Sequence, residues 1–370
     1  MRPAPRLVVT ALLLVGAAVF VLPFVWMVVT ALKPIDQALS EPNAWLPRRF
    51  AAVIGGQDQE VRLGPLAIEP GVWGRIGGAA RPVLLPAVAV SGGLWHPAAG
   101  SPVPVVVLKP VPASLVAPWR EVVSLDGLHG DILPARSVRS WISFRWENFP
   151  LAVRSMRHFS RYLANTLILC ILNVVGTVLS SALVAYGFAR LEWRGRDRLF
   201  AVLLATMMIP FPVVMVPLYG FFRALGMVGT LQPLWVGSFF ANAFNVFLLR
   251  QFFRTIPREL SEAARIDGCS EFRIFWTIIL PLCKPALVVV ALFTFLGVWN
   301  DFLGPLIYLT NEHDFTLALG LEAMKTSESG ATEWPYLMAA STLVILPVIG
   351  LFLAAQRSFI EGISVTGLKG

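Results

Sequence analysis

Six stretches of this chain are long enough and apolar enough to cross a lipid bilayer, and that limits the fold more than any single motif. About 20 consecutive apolar residues carry a helix across the hydrocarbon core. The runs 7–32, 162–189, 199–222, 224–249 and 334–356 contain no charged residue, and 285–310 contains one, Asp301. Composition agrees. Hydrophobic residues make up 56% of the chain and charged residues 14%, with mean hydropathy +0.70. A soluble domain carries about 25% charged residues. The 370 residues therefore lack the polar surface that two or three soluble domains would need. The fold expected is an all-α polytopic membrane protein with six transmembrane helices.

Arg2 and Arg6 precede the first run, as in a secretion signal. That run is too long for a signal core and ends in no small-x-small cleavage site, so it is expected to stay as an anchor. Charge then orients the helices. Arg190, Arg194, Arg196 and Arg198 follow the second run, and Arg250, Arg254, Arg258, Arg265, Arg273 and Lys284 follow the fourth. The short loops on the other side hold only Arg223 and Lys325. The positive-inside rule places both termini in the cytoplasm. The net charge of +8 is spread between apolar runs in the same way, so no nucleic-acid partner is expected.

The loop after the first run is the unusual part. Between residues 45 and 150 it is rich in Gly and Pro, with short β-branched runs at 103–108 and 120–125. Gly55-Gly56, Gly77-Gly78, Gly92-Gly93 and Asp126-Gly127 supply turns between them. This reads as a β-rich extracytoplasmic insert between helices 1 and 2, with Trp73, Trp95, Trp119, Trp141 and Trp146 available as a core. The domains expected are 1–34 (first transmembrane helix), 35–160 (insert and connector) and 161–370 (helices 2–6, with a cytoplasmic loop at 254–285). Cys170, Cys269 and Cys283 match no paired-thiol or metal spacing, and His96, His129, His158 and His313 fit no zinc pattern. No metal site is expected.

The loop 254–285 carries the most specific pattern. Pro257 can begin a short helix, Ala263 and Ala264 keep one face slim, and Gly268 can take the left-handed turn that ends it. Ser270 can cap a second helix, which Pro281 and Pro285 stop. The product is a rigid helix–turn–helix elbow, thin enough to enter a groove in another protein.

Residues Glu262-Ala263-Ala264, Gly268 and Ile278-x-Leu280-Pro281 resemble the EAA loop of ABC-importer permeases at every fixed position. Similarity to the carbohydrate-uptake class, and to its maltose-permease-like second subunit, extends to 23–27, 165–167, 185–190, 207–210, 295–302 and 356–370. It covers residues 1–45 and 145–370 and leaves out the insert. The resemblance implies a permease subunit of a sugar importer in the bacterial cytoplasmic membrane. It implies that Glu262, Ala263, Ala264 and Gly268, supported by Asp267, dock on an ATP-hydrolysing partner. It also implies a second permease subunit in a heterodimer, an ATPase dimer and an extracytoplasmic sugar-binding protein. The chain holds no Gly-Lys pair, hence no phosphate-cradling loop of that kind; ATP and Mg are expected on the partner, and the chain itself is not expected to be an enzyme.

Polar groups inside the runs are candidates for the translocation path. Asn300 and Asp301 lie in the fifth run, and Asn242 and Asn245 in the fourth. An intramembrane ionisable residue faces a bundle interior or a wet cavity. Interhelical hydrogen bonding is the other reading for each. The resemblance also implies that the loop 311–333, which is polar here, contacts the binding protein, with Glu312, His313, Asp314, Ser327 and Ser329 as the candidate residues. Two other classes stay open. A secondary transporter would bring internal repeats and several central carboxylates, whereas the runs hold one. A non-transporting scaffold would account for the insert but leave the elbow without a purpose.

Overall fold

Three of the six apolar runs fold as long helices, and the other three are broken at prolines, glycines and polar residues. The computed structural model describes residues 3–40, 43–54, 56–68, 71–76, 83–86, 90–91, 94–95, 103–110, 119–124, 130–134, 137–325 and 333–367. The chain divides into two compact units. One comprises Met1–Ala152 with Glu333–Thr342, the other Val153–Thr332 with Leu343–Gly370.

The first unit begins with α1 (Pro3–Ala31) and α2 (Ile35–Ser40). The apolar stretch Val9–Ala31 is long enough to cross a membrane, and its side chains are largely unburied within the protein. Asn148 closes its far end, donating to the carbonyls of Ala31 (2.7 Å) and Lys33 (2.9 Å). Among the described residues ten strands follow: β1 (Arg48–Ile54), β2 (Gln57–Ile68), β3 (Gly71–Ile76), β4 (Val83–Pro86), β5 (Val90–Ser91), β6 (Leu94–Trp95), β7 (Val103–Pro110), β8 (Trp119–Ser124), β9 (Gly130–Pro134) and β10 (Arg139–Ile142). They form two five-stranded sheets, ordered β10-β1-β2-β8-β9 and β4-β3-β7-β6-β5. In the first sheet every second residue of β1 is buried, which is the period of a strand with one covered face. Phe50, Ala52 and Ile54 meet Val61 and Val122 there, with Leu133 and Val138 at the edge. Among the described residues this core is one phenylalanine with aliphatic neighbours. Trp141 and Trp146 are exposed, and the side chains of Trp73, Trp95 and Trp119 lie outside the described residues.

The second unit is helical. It takes in the end of α3 (Asn148–Ser155), then α4 (Phe159–Ala189), α5 (Arg196–Thr206), α6 (Phe211–Ala224), α7 (Ala243–Thr255), α8 (Arg258–Ile266), α9 (Glu271–Ile274), α10 (Leu280–Leu282), α11 (Lys284–Trp299), α12 (Leu303–Tyr308), α13 (Leu317–Lys325) and most of α14 (Trp334–Gly367). Helix α4 and the stretch Trp334–Gln356 of α14 are uninterrupted spans by length and hydropathy. The run 199–222 is instead α5 and α6, bent by 95°. Ile209 and Phe211 each precede a proline, which disfavours the helical conformation, and Pro210 is extended at ψ 141°.

The run 224–249 departs furthest from expectation. Gly226 (φ +70°) and Gly229 (φ +88°) turn the chain, two short 3-10 turns follow at Gln232–Leu234 and Val236–Phe240, and only α7 is regular. The polar face of α4 satisfies this irregular backbone. Asn173 donates to Leu234 O (3.0 Å), Ser180 donates to Ser238 O (3.0 Å) and accepts from Ala241 N–H (3.1 Å), and Ser181 accepts from Asn242 N–H (3.3 Å). Non-helical backbone at membrane depth is tolerated only against protein or water, and α4 supplies that surface. Close packing helps, since a Cβ on Gly176 would stand 2.7 Å from the Phe239 ring. The fifth run also breaks, at Asn300 and Asp301 between α11 and α12.

The core of this unit joins small residues (Ala182, Ala185, Ala189, Ala264, Ala286) to bulky ones (Tyr186, Phe188, Phe200, Leu249, Phe253, Phe275). Small residues let helix backbones approach closely, and here they bring α8 against the end of α4.

Candidate functional site

The elbow forms through local chemistry that the sequence spells out. Helix α8 ends at Gly268 with φ +80°. Cys269 N–H donates to Ala264 O (2.9 Å) and Gly268 N–H donates to Arg265 O (3.0 Å). This pair of bonds is the Schellman closure, which needs a left-handed residue at the position Gly268 holds. A Cβ on Gly268 would meet nothing within 4 Å, so the requirement is conformational and not one of space. Ser270 then caps the next helix, its hydroxyl accepting from Arg273 N–H (3.4 Å).

Pro281 does not stop that helix. The chain runs on from α9 through a π-helical turn at Phe275–Ile279 into α10, and turns by 80° only between Leu282 and Lys284. The wider turn accommodates a ring that offers no N–H to the preceding turn. Pro285 opens α11, where a proline fits the first helical turn.

Exposure sorts the elbow residues. Glu262, Ala263, Asp267 and Gly268 face outward, whereas Ala264 is buried in the core. Ala264 thus serves the close packing of α8 on its own protein, and the outward surface falls to the others. Two residues that sequence reasoning did not single out complete that surface: Ile266 is 88% exposed and Phe272 66% exposed.

The elbow is tied to α4 by two further residues that the sequence did not point to. Tyr186 Oη–H donates to Glu271 Oε2 (2.5 Å), and Arg265 Nε–H donates to Glu271 Oε1 (2.5 Å). Glu271 therefore joins the span to both halves of the elbow. The hydrogen bond from Arg265 holds its carboxyl below the usual carboxylate range. Arg190, buried at the end of α4, donates through Nη2–H to Ile256 O (2.7 Å), just before α8 begins. Arg258 reaches Glu192 (2.9 Å) across an exposed edge. A cavity of about 520 Å³ lies among Arg190, Trp193, Arg258, Glu262, Arg265 and Glu271. The available signal was the run Ala185-Tyr186-Gly187-Phe188-Ala189-Arg190, but a sequence does not show which residues across a fold a side chain reaches.

The remaining sequence-derived candidates lie apart from the elbow. Asp301 is half-buried and its Oδ1 accepts from Gly304 N–H (3.1 Å), capping α12. Asn300 is exposed and donates to Leu296 O (2.8 Å). Asn242 caps α7, accepting from Phe244 and Asn245 N–H, and Asn245 is buried. In the loop after α12, Glu312 accepts from Tyr162 Oη–H (3.2 Å), and Asn165 Nδ2 donates to His313 O and Phe315 O (each 3.1 Å). The rings of His158 and His313 meet at a tilt of 44°, with centroids 4.3 Å apart. Glu312 and His313 are exposed and Asp314 is half-buried; Ser327 and Ser329 lie outside the described residues. Among the described residues no group of three or more His, Cys, Asp or Glu could hold a metal ion, and Cys170, Cys269 and Cys283 are unpaired thiols.

The model of the family described as "binding-protein-dependent transport system inner membrane component" matches residues 177–364. An arabinooligosaccharides transport system permease protein of Halalkalibacterium halodurans is 37% identical over 209 residues, which cover 56% of this chain and 74% of that one. An sn-glycerol-3-phosphate transport system permease protein of Pectobacterium atrosepticum is 35% identical, with 55% and 73% covered. Among solved structures, a bacterial ABC transporter involved in the import of the acidic polysaccharide alginate matches in fold. Its TM-score is 0.54 at 24% identity, covering 58% of this chain and 80% of that one.

Proposed function

The chain belongs to the binding-protein-dependent transport system inner membrane components, and we propose that it is the membrane-spanning subunit of an ATP-driven importer for a carbohydrate. ATP hydrolysis takes place in a partner subunit, and this chain moves in response. The observation that carries the reading is the elbow itself. A glycine-closed helix corner holds Glu262, Ala263, Ile266 and Phe272 outward while Tyr186, Glu271 and Arg190 fix it to a span. A push on the outer face of α8 is then delivered to α4 through hydrogen-bonded side chains and packed core.

In this reading the residue 254–285 loop and both termini are cytoplasmic, and the ATPase dimer binds ATP and Mg. A second permease subunit completes a heterodimer, and an extracytoplasmic sugar-binding protein delivers substrate to the side of Glu312, His313 and Asp314. The permease relatives named for arabinooligosaccharides and for sn-glycerol-3-phosphate support neutral oligosaccharides and small phosphorylated polyols as substrate classes. Asn300, Asp301, Asn242 and Asn245 line the path. Asn242 and Asp301 also cap helices, so they shape the path through backbone as well as side chain. The proposal includes a first helix, an outer insert and a permease core, with the strands outside the membrane.

A photo-reactive side chain in place of Ile266 tests the docking. It should crosslink to the ATPase in the assembled transporter and not after the ATPase is stripped off. A transporter that moves substrate yet gives no such crosslink removes the elbow from the docking site. Replacing residues 49–139 by a short Gly/Ser linker tests the strands. Transport should return at saturating binding protein, with weaker docking below saturation. Abolished transport in a complex that still assembles and binds normally would put the strands on the substrate's route.

A further inference from the structure

Near the elbow, a second cavity of about 380 Å³ is lined by Arg196, Asp197, Phe200, Arg250, Arg254 and Arg258, among others. Asp197 is the one acidic lining residue set against four guanidinium groups, and Glu192 outside the lining takes up Arg258. Arg250 is the informative member, because it is only 8% exposed. Its Nε–H donates to Phe188 O (3.2 Å), and its guanidinium lies 3.9 Å from the centroid of the Phe200 ring. Its Nη2 makes a long ion pair with Asp197 Oδ1 (3.7 Å), an oxygen that Arg196 Nε also holds at 3.2 Å, so one carboxylate is shared between two guanidinium groups. Arg254 is exposed and has no partner among the described residues. Helix α5 starts at the same cavity, behind Gly195, with no side-chain cap on its first N–H groups. A helix N-terminus carries about half a positive charge and binds anions.

Orientation in the membrane requires basic residues near its cytoplasmic edge, but it does not require four guanidinium groups to converge on one cavity that holds a single carboxylate. A buried guanidinium is costly unless an anion completes its hydrogen bonds. The surroundings indicate what that anion is attached to. Leu199 and Val202 on α5 are exposed apolar residues one or two turns beyond the cavity, and Trp193 beside it is 40% exposed. A ligand with a phosphate head and hydrocarbon tails satisfies both halves of this surface.

We propose that the Arg196–Arg250–Arg254–Arg258 cavity is a binding site for the phosphate diester of an anionic glycerophospholipid of the cytoplasmic leaflet. Arg250 and Arg254 grip the phosphate, Arg196 and the start of α5 flank it, and the acyl chains lie along the apolar side of α5. The site adjoins the loop between α7 and α8, so its occupant braces the base of the elbow.

The test uses the transporter purified with its partner subunits, delipidated, and titrated with phosphatidylglycerol or phosphatidylcholine, with bound lipid read by native mass spectrometry. Phosphatidylglycerol should be retained in preference. Arg254→Gln should weaken retention about fivefold, the equivalent of about 1 kcal/mol per basic residue at an anionic surface, while Arg223→Gln, at an exposed site outside the cavity, should change nothing. Arg254 is exposed and makes no hydrogen bond or ion pair among the described residues, so its loss does not endanger folding, and Arg250→Lys, which keeps the charge but loses the fork, should also weaken retention. Equal retention of the two lipids, or an Arg254→Gln variant indistinguishable from the control, would overturn the site. Displacement of phosphatidylglycerol by an equal concentration of inorganic phosphate would overturn the lipid as the source of the anion.

Discussion

Helix α4 holds a loop at each of its ends, and the two grips are built differently. Tyr162 and Tyr186 stand 24 residues apart in α4, about 36 Å along a helix rising about 1.5 Å per residue. Each donates its hydroxyl to a glutamate in a distant loop, Tyr162 to Glu312 at 3.2 Å and Tyr186 to Glu271 at 2.5 Å. Glu271 is also gripped by Arg265, and Arg190 adds a charged hold on the backbone of Ile256. Around Glu312 the other bonds are neutral and reach backbone. Asn165 donates to two carbonyls, and Thr166 accepts from Leu317 N–H (2.9 Å). Charge-assisted bonds are roughly twice as strong as neutral ones. The elbow end is thus the stiffer joint, as the proposed transmission of force would require, while the other end fixes the course of a loop and leaves Glu312 and His313 exposed.

The largest effect should come from breaking the elbow itself. Gly268→Val forces a β-branched residue to φ +80°, where even ordinary residues lose about 1–2 kcal/mol. The Schellman closure should open, and transport should fall to background, with ATPase activity either lost or no longer stimulated by loaded binding protein. Normal, stimulated transport by this variant would remove the elbow from the coupling route.

Tyr186→Phe sharpens the contrast between the joints. Glu271 is about 40% exposed, so water replaces the lost donor and stability should drop by only about 1 kcal/mol. Coupling should suffer more than stability, with more ATP hydrolysed per substrate moved. If transport and ATPase activity fall in the same proportion, the tyrosine is only structural. Asn165→Ala makes the corresponding cut at the other end. Two carbonyls lose their donor, costing about 1–3 kcal/mol where water is excluded. This variant should raise the binding-protein concentration needed for half-maximal transport and leave ATP hydrolysed per substrate unchanged. A shift in that ratio would erase the distinction between the two joints.

The smallest effect belongs to the Arg265–Glu271 pair on its own. Both side chains are about 40% exposed, so a double-mutant cycle with Arg265→Gln and Glu271→Gln should give a coupling of about 0.2–1 kcal/mol. Its pH dependence has a definite sign. The folded carboxyl lies below its ordinary value because of Arg265, so the contribution is complete above the unfolded value of about 4.3. It disappears as pH falls through the folded one. A cycle measured at neutral pH should match one measured at pH 6 and shrink in acid; a coupling that grew in acid would contradict the assignment.

The amino-acid sequence by itself determined that this is a membrane protein, because six apolar runs with 14% charged residues leave no alternative solvent. It determined the elbow as well. Pro257, Gly268 and Ser270 act within a turn of their own position, through a fixed φ, a left-handed φ and a side-chain cap, and all three work locally. Tertiary structure decided what depends on partners far along the chain. Apolar length does not reveal that 224–249 is held irregular by Asn173, Ser180 and Ser181 of α4, since those bonds cross about 60 residues of sequence. Nor does it show that the core of the first sheet is Phe50, Ala52, Ile54, Val61 and Val122 while Trp141 and Trp146 stay exposed. The face of a strand that turns inward is set by its register with neighbours. The assignment of Ala263 outward and Ala264 inward, and of Tyr186 to Glu271, follows from the same cause. Residue type limits what a side chain can bond, and only packing selects which bond it makes.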